Sequence, residues 1–187
     1  MFLFLVTLFC VGIKINHADI AVSPVRCGPM PRAIFSCLSM PKIVKPEISE
    51  QCKNRGATQC DRMTCIFEQS GWIVDNKLQE VKIRSFFDDF AKQHPSWSAA
   101  VNHVKSACLG SSLPAQGIHL NCPAYDVMQC SLASFIKNGL PSEWSTASHC
   151  EYPRHFAASC PVCPGDCFEP QIPTGSCNAC LALPRSP

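Results

Sequence analysis

Residues 78–92, LQEVKIRSFFDDFAK, place Ile83, Phe86, Phe87 and Phe90 at i, i+3, i+4 and i+7, with Lys82, Arg84, Asp88 and Asp89 on the opposite side. A helix advances 3.6 residues per turn, so this spacing gathers the apolar side chains into one stripe and predicts an amphipathic helix with a solvated polar face. Pro95 stops it, because proline lacks the N–H and clashes with the preceding turn. Ser96 suits the N-cap of a following helix whose stripe is Trp97, Val101 and Val104, closing near Cys108 and Gly110. Beyond a loop over 109–121, residues 122–137 put Tyr125, Met128, Leu132, Phe135 and Ile136 on one side. Gly139 and then Pro141 form an expected C-terminal pair.

Working upstream, the stretch from Cys52 to Gly71 has few breakers after Gly56, and Gly71 suits a helix C-terminus. Residues 46–50, PEISE, open a shorter helix with acids in the first turn. Residues 141–156 predict one or two short helices around Trp144 and His149. No convincing strand pattern is present, and the fold class expected is all-α.

Residues 1–13, MFLFLVTLFCVGI, are almost wholly apolar. They fall well short of the roughly 20 residues needed to span a bilayer. They match the apolar region of a signal peptide with cleavage after Ala18, which sets residues 1–18 and Cys10 apart from the fold. The remaining fourteen cysteines form an even set behind a secretory leader and read as a disulfide framework in a secreted, extracellular protein. Seven bridges at about 2–4 kcal/mol each would rival the apolar core as a source of stability, which leaves room for a hollow interior. Residues 19–159 form the expected helical domain. Residues 160–187, with five cysteines and six prolines, form an irregular tail packed on it by crosslinks.

The charge is balanced, 16 Lys and Arg against 14 Asp and Glu, with no basic run, so no nucleic-acid partner and no anionic-membrane contact is expected. Enzyme chemistry is not expected either. The chain has no Gly-x-Ser-x-Gly elbow and no His-Glu-x-x-His, and the Asp88-Asp89 pair sits on the polar helix face. The pairs Cys160-x2-Cys163 and Cys177-x2-Cys180 have zinc-ribbon spacing, but an oxidising route favours disulfides, so neither metal nor cofactor is expected. The histidines show no i, i+4 metal pair; His119, in its loop, is a candidate for pH-triggered release.

The spacing Cys60-x4-Cys65-x42-Cys108-x13-Cys122-x7-Cys130, with CIFEQSGWIVDNKL, HPSWSAAVNHVKSAC and CPAYDVMQCSLASFIKNGLPSEW around it, resembles the insect odorant-binding protein family over residues 60–144. The extra cysteines and Pro-rich tail resemble its cysteine-enriched Plus-C or a related atypical branch. The resemblance implies a bundle of about six helices, crosslinked by disulfides around an apolar cavity. It implies a secreted carrier of odorant- or pheromone-type hydrophobic ligands, with no cofactor, no membrane insertion and a membrane odorant receptor as a further partner.

The family's pairing order (first–third, second–fifth, fourth–sixth) implies Cys37–Cys65, Cys60–Cys122 and Cys108–Cys130. Cys27 is an alternative to Cys37. A second register makes Cys130 the fifth cysteine and gives Cys150 to Cys108. Pairs among Cys27, Cys52, Cys150, Cys160, Cys163, Cys167, Cys177 and Cys180 stay unassigned. At about 100° per residue, the five-residue step from Cys60 to Cys65 turns them about 140° apart, so either Cys60 precedes the helix or that turn is irregular.

A carrier needs an apolar wall with few polar groups. The expected ligand-binding residues are Phe67, Trp72, Ile83, Phe86, Phe87, Phe90, Trp97, Val101, Val104, Met128, Leu132 and Phe135. Aromatic rings give large contact area and Met128 an adaptable shape. The alternative is a secreted disulfide-rich interaction or structural protein without a small-molecule ligand.

Overall fold

The computed structural model describes residues 25, 27, 29–110 and 122–162; the leader at 1–18, His119 and the tail cysteines Cys163, Cys167, Cys177 and Cys180 lie outside the described residues. The chain is mostly helical. Its elements are α1 (Ile34–Cys37), α2 (Pro46–Gln51), α3 (Gln59–Gln69), a hairpin of β1 (Ile73–Val74) and β2 (Lys77–Leu78), α4 (Glu80–Gln93), α5 (Ser98–His103), α6 (Pro123–Asn138) and α7 (Glu151–Ser159). Short 3-10 turns at Pro95–Trp97, Pro141–Glu143 and Ser148–Cys150 join them, and α5 runs on into a π turn at Val104–Cys108.

Helix α3 is fixed at both ends by local chemistry. At its start Thr58 and Asp61 form a capping box. The Thr58 hydroxyl accepts from the Asp61 N–H at 3.1 Å, and the Asp61 carboxylate accepts from the N–H groups of Thr58 at 3.0 Å and Ala57 at 3.1 Å. Gly56 lies against that carboxylate at φ 76°, where an added Cβ would fall 2.0 Å from the Asp61 Cβ. At its end Gly71 takes φ 68°. The Trp72 N–H then reaches back to the Phe67 carbonyl at 2.7 Å, and the Gly71 N–H to the Glu68 carbonyl at 2.9 Å. This is a Schellman motif, completed by the edge-to-face contact of Trp72 on Phe67 at 5.2 Å.

The hairpin corrects the expectation of no strands. Asp75 and Asn76 stand at φ 50° and 57°, the left-handed pair of a two-residue turn whose twist suits a hairpin, and Ile73 pairs with Leu78 and Val74 with Lys77. Strands of two residues are too short to show alternation in sequence. Because the ladder takes Leu78, α4 begins at Glu80. Its stripe is as expected, with Ile83, Phe87 and Phe90 buried and Phe86 half-buried.

Its polar face is not simply solvated. Arg84 donates to the carbonyls of Lys105 at 2.8 Å and Leu109 at 3.2 Å, satisfying carbonyls that the π turn leaves open, and Asp88 pairs with Lys105 at 2.5 Å.

Two further local expectations change. Ser96 does not cap α5; the chain enters it through the 3-10 turn, with the Ser98 hydroxyl donating to the Pro95 carbonyl at 2.8 Å. Gly139 is extended at φ −64°, so it is not a left-handed cap. An added Cβ there would meet Leu38 Cδ1 at 2.9 Å, so a larger residue requires the end of the Leu38 side chain to shift. Leu38 is held there by antiparallel pairing, with Ser145 N–H to the Cys37 carbonyl and Ser39 N–H to the Glu143 carbonyl, each at 2.8 Å.

Five disulfides lie among the described residues: Cys27–Cys160, Cys37–Cys150, Cys52–Cys65, Cys60–Cys122 and Cys108–Cys130. The last two are pairs that the resemblance implied. The expected Cys37–Cys65 bridge is not formed. Cys65 faces Cys52, thirteen residues earlier at the end of α2. Cys37 is carried by the pairing of residues 37–39 with 143–145 to the start of α7, where it meets Cys150. Neither open alternative occurs, since Cys27 bonds Cys160 and Cys108 bonds Cys130. The five-residue step is resolved differently from both options. Helix α3 runs regularly through Cys60 and Cys65, and the divergence sends one sulfur to α2 and the other to the start of α6. Cys160 and Val162, the described start of the expected tail, are buried against the core of the domain.

Gly71→Ala is expected to cost about 1 kcal/mol in urea unfolding; no atom lies within reach of the new Cβ, so only the left-handed backbone is penalised. Hydrogen bonding from Thr58, by its side chain and then its N–H, holds the Asp61 carboxyl below its usual 3.8. Its contribution to stability is therefore present above that value and lost as pH falls through the lower folded value. Unfolding midpoints at pH ~6 and pH ~3 should differ less in Asp61→Asn than in the unmodified chain.

Candidate functional site

The apolar stripes of α3, α4, α5 and α6 converge on one row of aromatic rings. Trp72, set by the Schellman turn, contacts Phe67 and also Phe86 at 4.8 Å. Phe86 contacts Phe87 at 5.3 Å and Phe90 at 5.9 Å. Phe90 meets Phe135 of α6 edge-on at 5.6 Å, and Trp97 stacks on Phe135 at 5.3 Å and 21° between planes. Edge-to-face and offset contacts of this kind suit the ring quadrupole and add to burial.

All twelve expected residues belong to this core. Phe67, Trp72, Ile83, Phe87, Phe90, Trp97, Val101, Val104 and Phe135 are buried, while Phe86, Met128 and Leu132 are half-buried against them. The sequence reading missed Ile34, Leu38, Trp144 and Phe156, which complete the core from α1, the segment after α6, and α7. Their segments are short or proline-rich, so helical spacing gives no signal; the disulfides Cys37–Cys150 and Cys27–Cys160 bring them in.

Polar groups are few inside. Asp126, Ser131 and Ser134 are the buried polar residues among those described. Both serine hydroxyls donate to the carbonyl four residues back, Val127 and Cys130, at 2.8 Å. With Ser134 donating to Cys130, His103 presents Nδ1–H to its oxygen at 2.8 Å. This Ser–His pair is no nucleophile site as it stands: the Ser134 residue is 1% exposed and its proton is committed to the backbone.

Lys137 is half-buried with its ammonium on the carbonyls of Ala157 (2.7 Å) and Cys160, closing the end of α7. Burial pushes its pKa below the ordinary lysine value. Arg84 and Lys137 act in the same way, as cations at helix ends reached from another helix, and neither is visible in sequence because the partner carbonyls lie about twenty residues away.

Among the described residues, Cys37, His149 and Cys150 group potential metal ligands within 4.8 Å of one another. The two sulfurs are bonded to each other, so neither is a thiolate ligand. Cys160, one of the zinc-ribbon cysteines, is likewise bonded to Cys27. No described helix is long and apolar enough to cross a membrane. Comparison of the chain with protein-family models, curated proteins and solved structures finds no significant match.

Phe135 is fully buried and touches rings of α4 and the 3-10 turn at once. Phe135→Ala is expected to lower unfolding free energy by about 3–5 kcal/mol in urea titration, with the disulfides intact.

Proposed function

We propose that this chain is a secreted extracellular carrier that binds small hydrophobic ligands of the odorant or pheromone type in an apolar interior, carries them through aqueous fluid without enzymatic chemistry, and delivers them to a membrane receptor. The observation that carries the reading is the interlaced set Cys52–Cys65, Cys60–Cys122 and Cys108–Cys130. Taken in chain order, these six cysteines pair first–third, second–fifth and fourth–sixth, the order that the odorant-binding resemblance implies, with Cys52 in the first place. The bridges tie α2, α3, the π turn and α6 around the aromatic row. Such crosslinks oppose collapse, and a wall of rings with Met128 beside it suits ligands that vary in shape. Five disulfides also fit folding along an oxidising route.

The test is fluorescence of N-phenyl-1-naphthylamine with the oxidised protein. The expected result is enhanced, blue-shifted emission that medium- and long-chain alcohols, aldehydes and esters displace. Absence of probe binding, or a bound probe that no compound in a broad panel displaces, would overturn the carrier reading in favour of an interaction protein.

A further inference from the structure

Every cysteine among the described residues is in a bridge: Cys27–Cys160, Cys37–Cys150, Cys52–Cys65, Cys60–Cys122 and Cys108–Cys130. Cys27 and Cys60 are half-buried and the others are buried. Exchange needs an attacking thiolate to reach a sulfur, so bridges closed in this way resist rearrangement. The helical domain therefore offers no thiol to anything outside it.

The same bridges fix where the remaining chain departs. Cys160 is bonded to Cys27, its carbonyl accepts from the Lys137 ammonium, and Val162 is buried. These three contacts hold the root of the tail on the domain without using a later cysteine. Of the fifteen cysteines in the sequence, Cys10 falls in the expected leader, and Cys163, Cys167, Cys177 and Cys180 follow Val162. Removal of the leader leaves those four with one another alone. The zinc-ribbon set loses Cys160, and what survives is Cys163-x3-Cys167 with Cys177-x2-Cys180.

We infer that Cys163, Cys167, Cys177 and Cys180 form two further disulfides among themselves, making 163–180 a second covalent unit that no bridge ties to the helical domain. The inference goes beyond the carrier reading and does not depend on it. Each bridge forms as two thiols pass two electrons to a small-molecule disulfide of the oxidised-glutathione class. The tail gains one sulfur–sulfur bond, and the oxidant leaves as two thiols that carry the protons. Zinc is the competing fate of four cysteines, but it needs thiolates. A route oxidising enough to close five bridges in the domain oxidises four more thiols beside it.

The experiment is tryptic mapping of the secreted full chain, unfolded without reduction in N-ethylmaleimide at pH ~6, where exchange is slow. Cleavage after Arg26, Arg32, Arg154 and Arg185 isolates residues 27–32 and 155–185. The two peptides should travel as one species, free of maleimide. That species should be lighter than the sum of the reduced peptides by two hydrogens for each of three bridges. Reduction should separate them, after which 155–185 takes up five maleimides and 27–32 takes up one. A third peptide on this species, from the same chain or a second copy, would overturn the inference. So would maleimide on the tail before reduction, and zinc in the native protein by atomic emission would then name the fate of those thiols. An unlinked 155–185 would overturn it too, since Cys160 would be free to pair within the tail.

Discussion

A regular helix that carries two cysteines five residues apart must point them in opposing directions, and α3 does so. Cys65 is drawn to the end of α2 and Cys60 to the start of α6, so α3 is held from two sides by covalent bonds. The position of the other apolar elements follows from that arrangement. Cys122 sets where α6 begins, and Cys130, two turns on, is bonded to the π turn at the end of α5. The aromatic stripe of α4 meets Trp72, just past α3, through Phe86, and Phe135 of α6 through Phe87 and Phe90. Its polar face is fixed in turn, with Arg84 and Asp88 reaching the π turn that Cys108 ends.

The strength of this arrangement lies in redundancy between local and distant terms. The capping box and Schellman turn make α3 a complete helix on local terms, independent of sulfur. The bridges then limit how far the unfolded chain can stray, a different source of stability from burial. Because the two terms are separate, the ring core need not supply all the stability, which is the physical condition a carrier requires.

Legibility in the sequence divided along the same line. Helices α3, α4 and α6 were readable because each is long enough for its period to repeat, and Gly71 and Gly139 marked their ends. The close approach of Gly139 to Leu38 was not readable, since Leu38 belongs to a segment a hundred residues away. The hairpin was too short for alternation, and the capping roles of Arg84 and Lys137 depend on carbonyls brought near by folding. Cysteine pairing was only partly legible for the same reason. The Cys37–Cys65 expectation failed because nothing in the spacing says that residues 37–39 lie along 143–145. The ring residues gathered as a set because stripes on neighbouring helices must face a common interior.

Cys27 and Cys160 stand near the two ends of the described chain and are bonded directly to one another. A force pulling on the segments outside them is carried across that single sulfur bond, and the 133 residues of separation between them stay slack. The domain is mechanically a closed ring, with its contents protected from tension as long as that bond lasts.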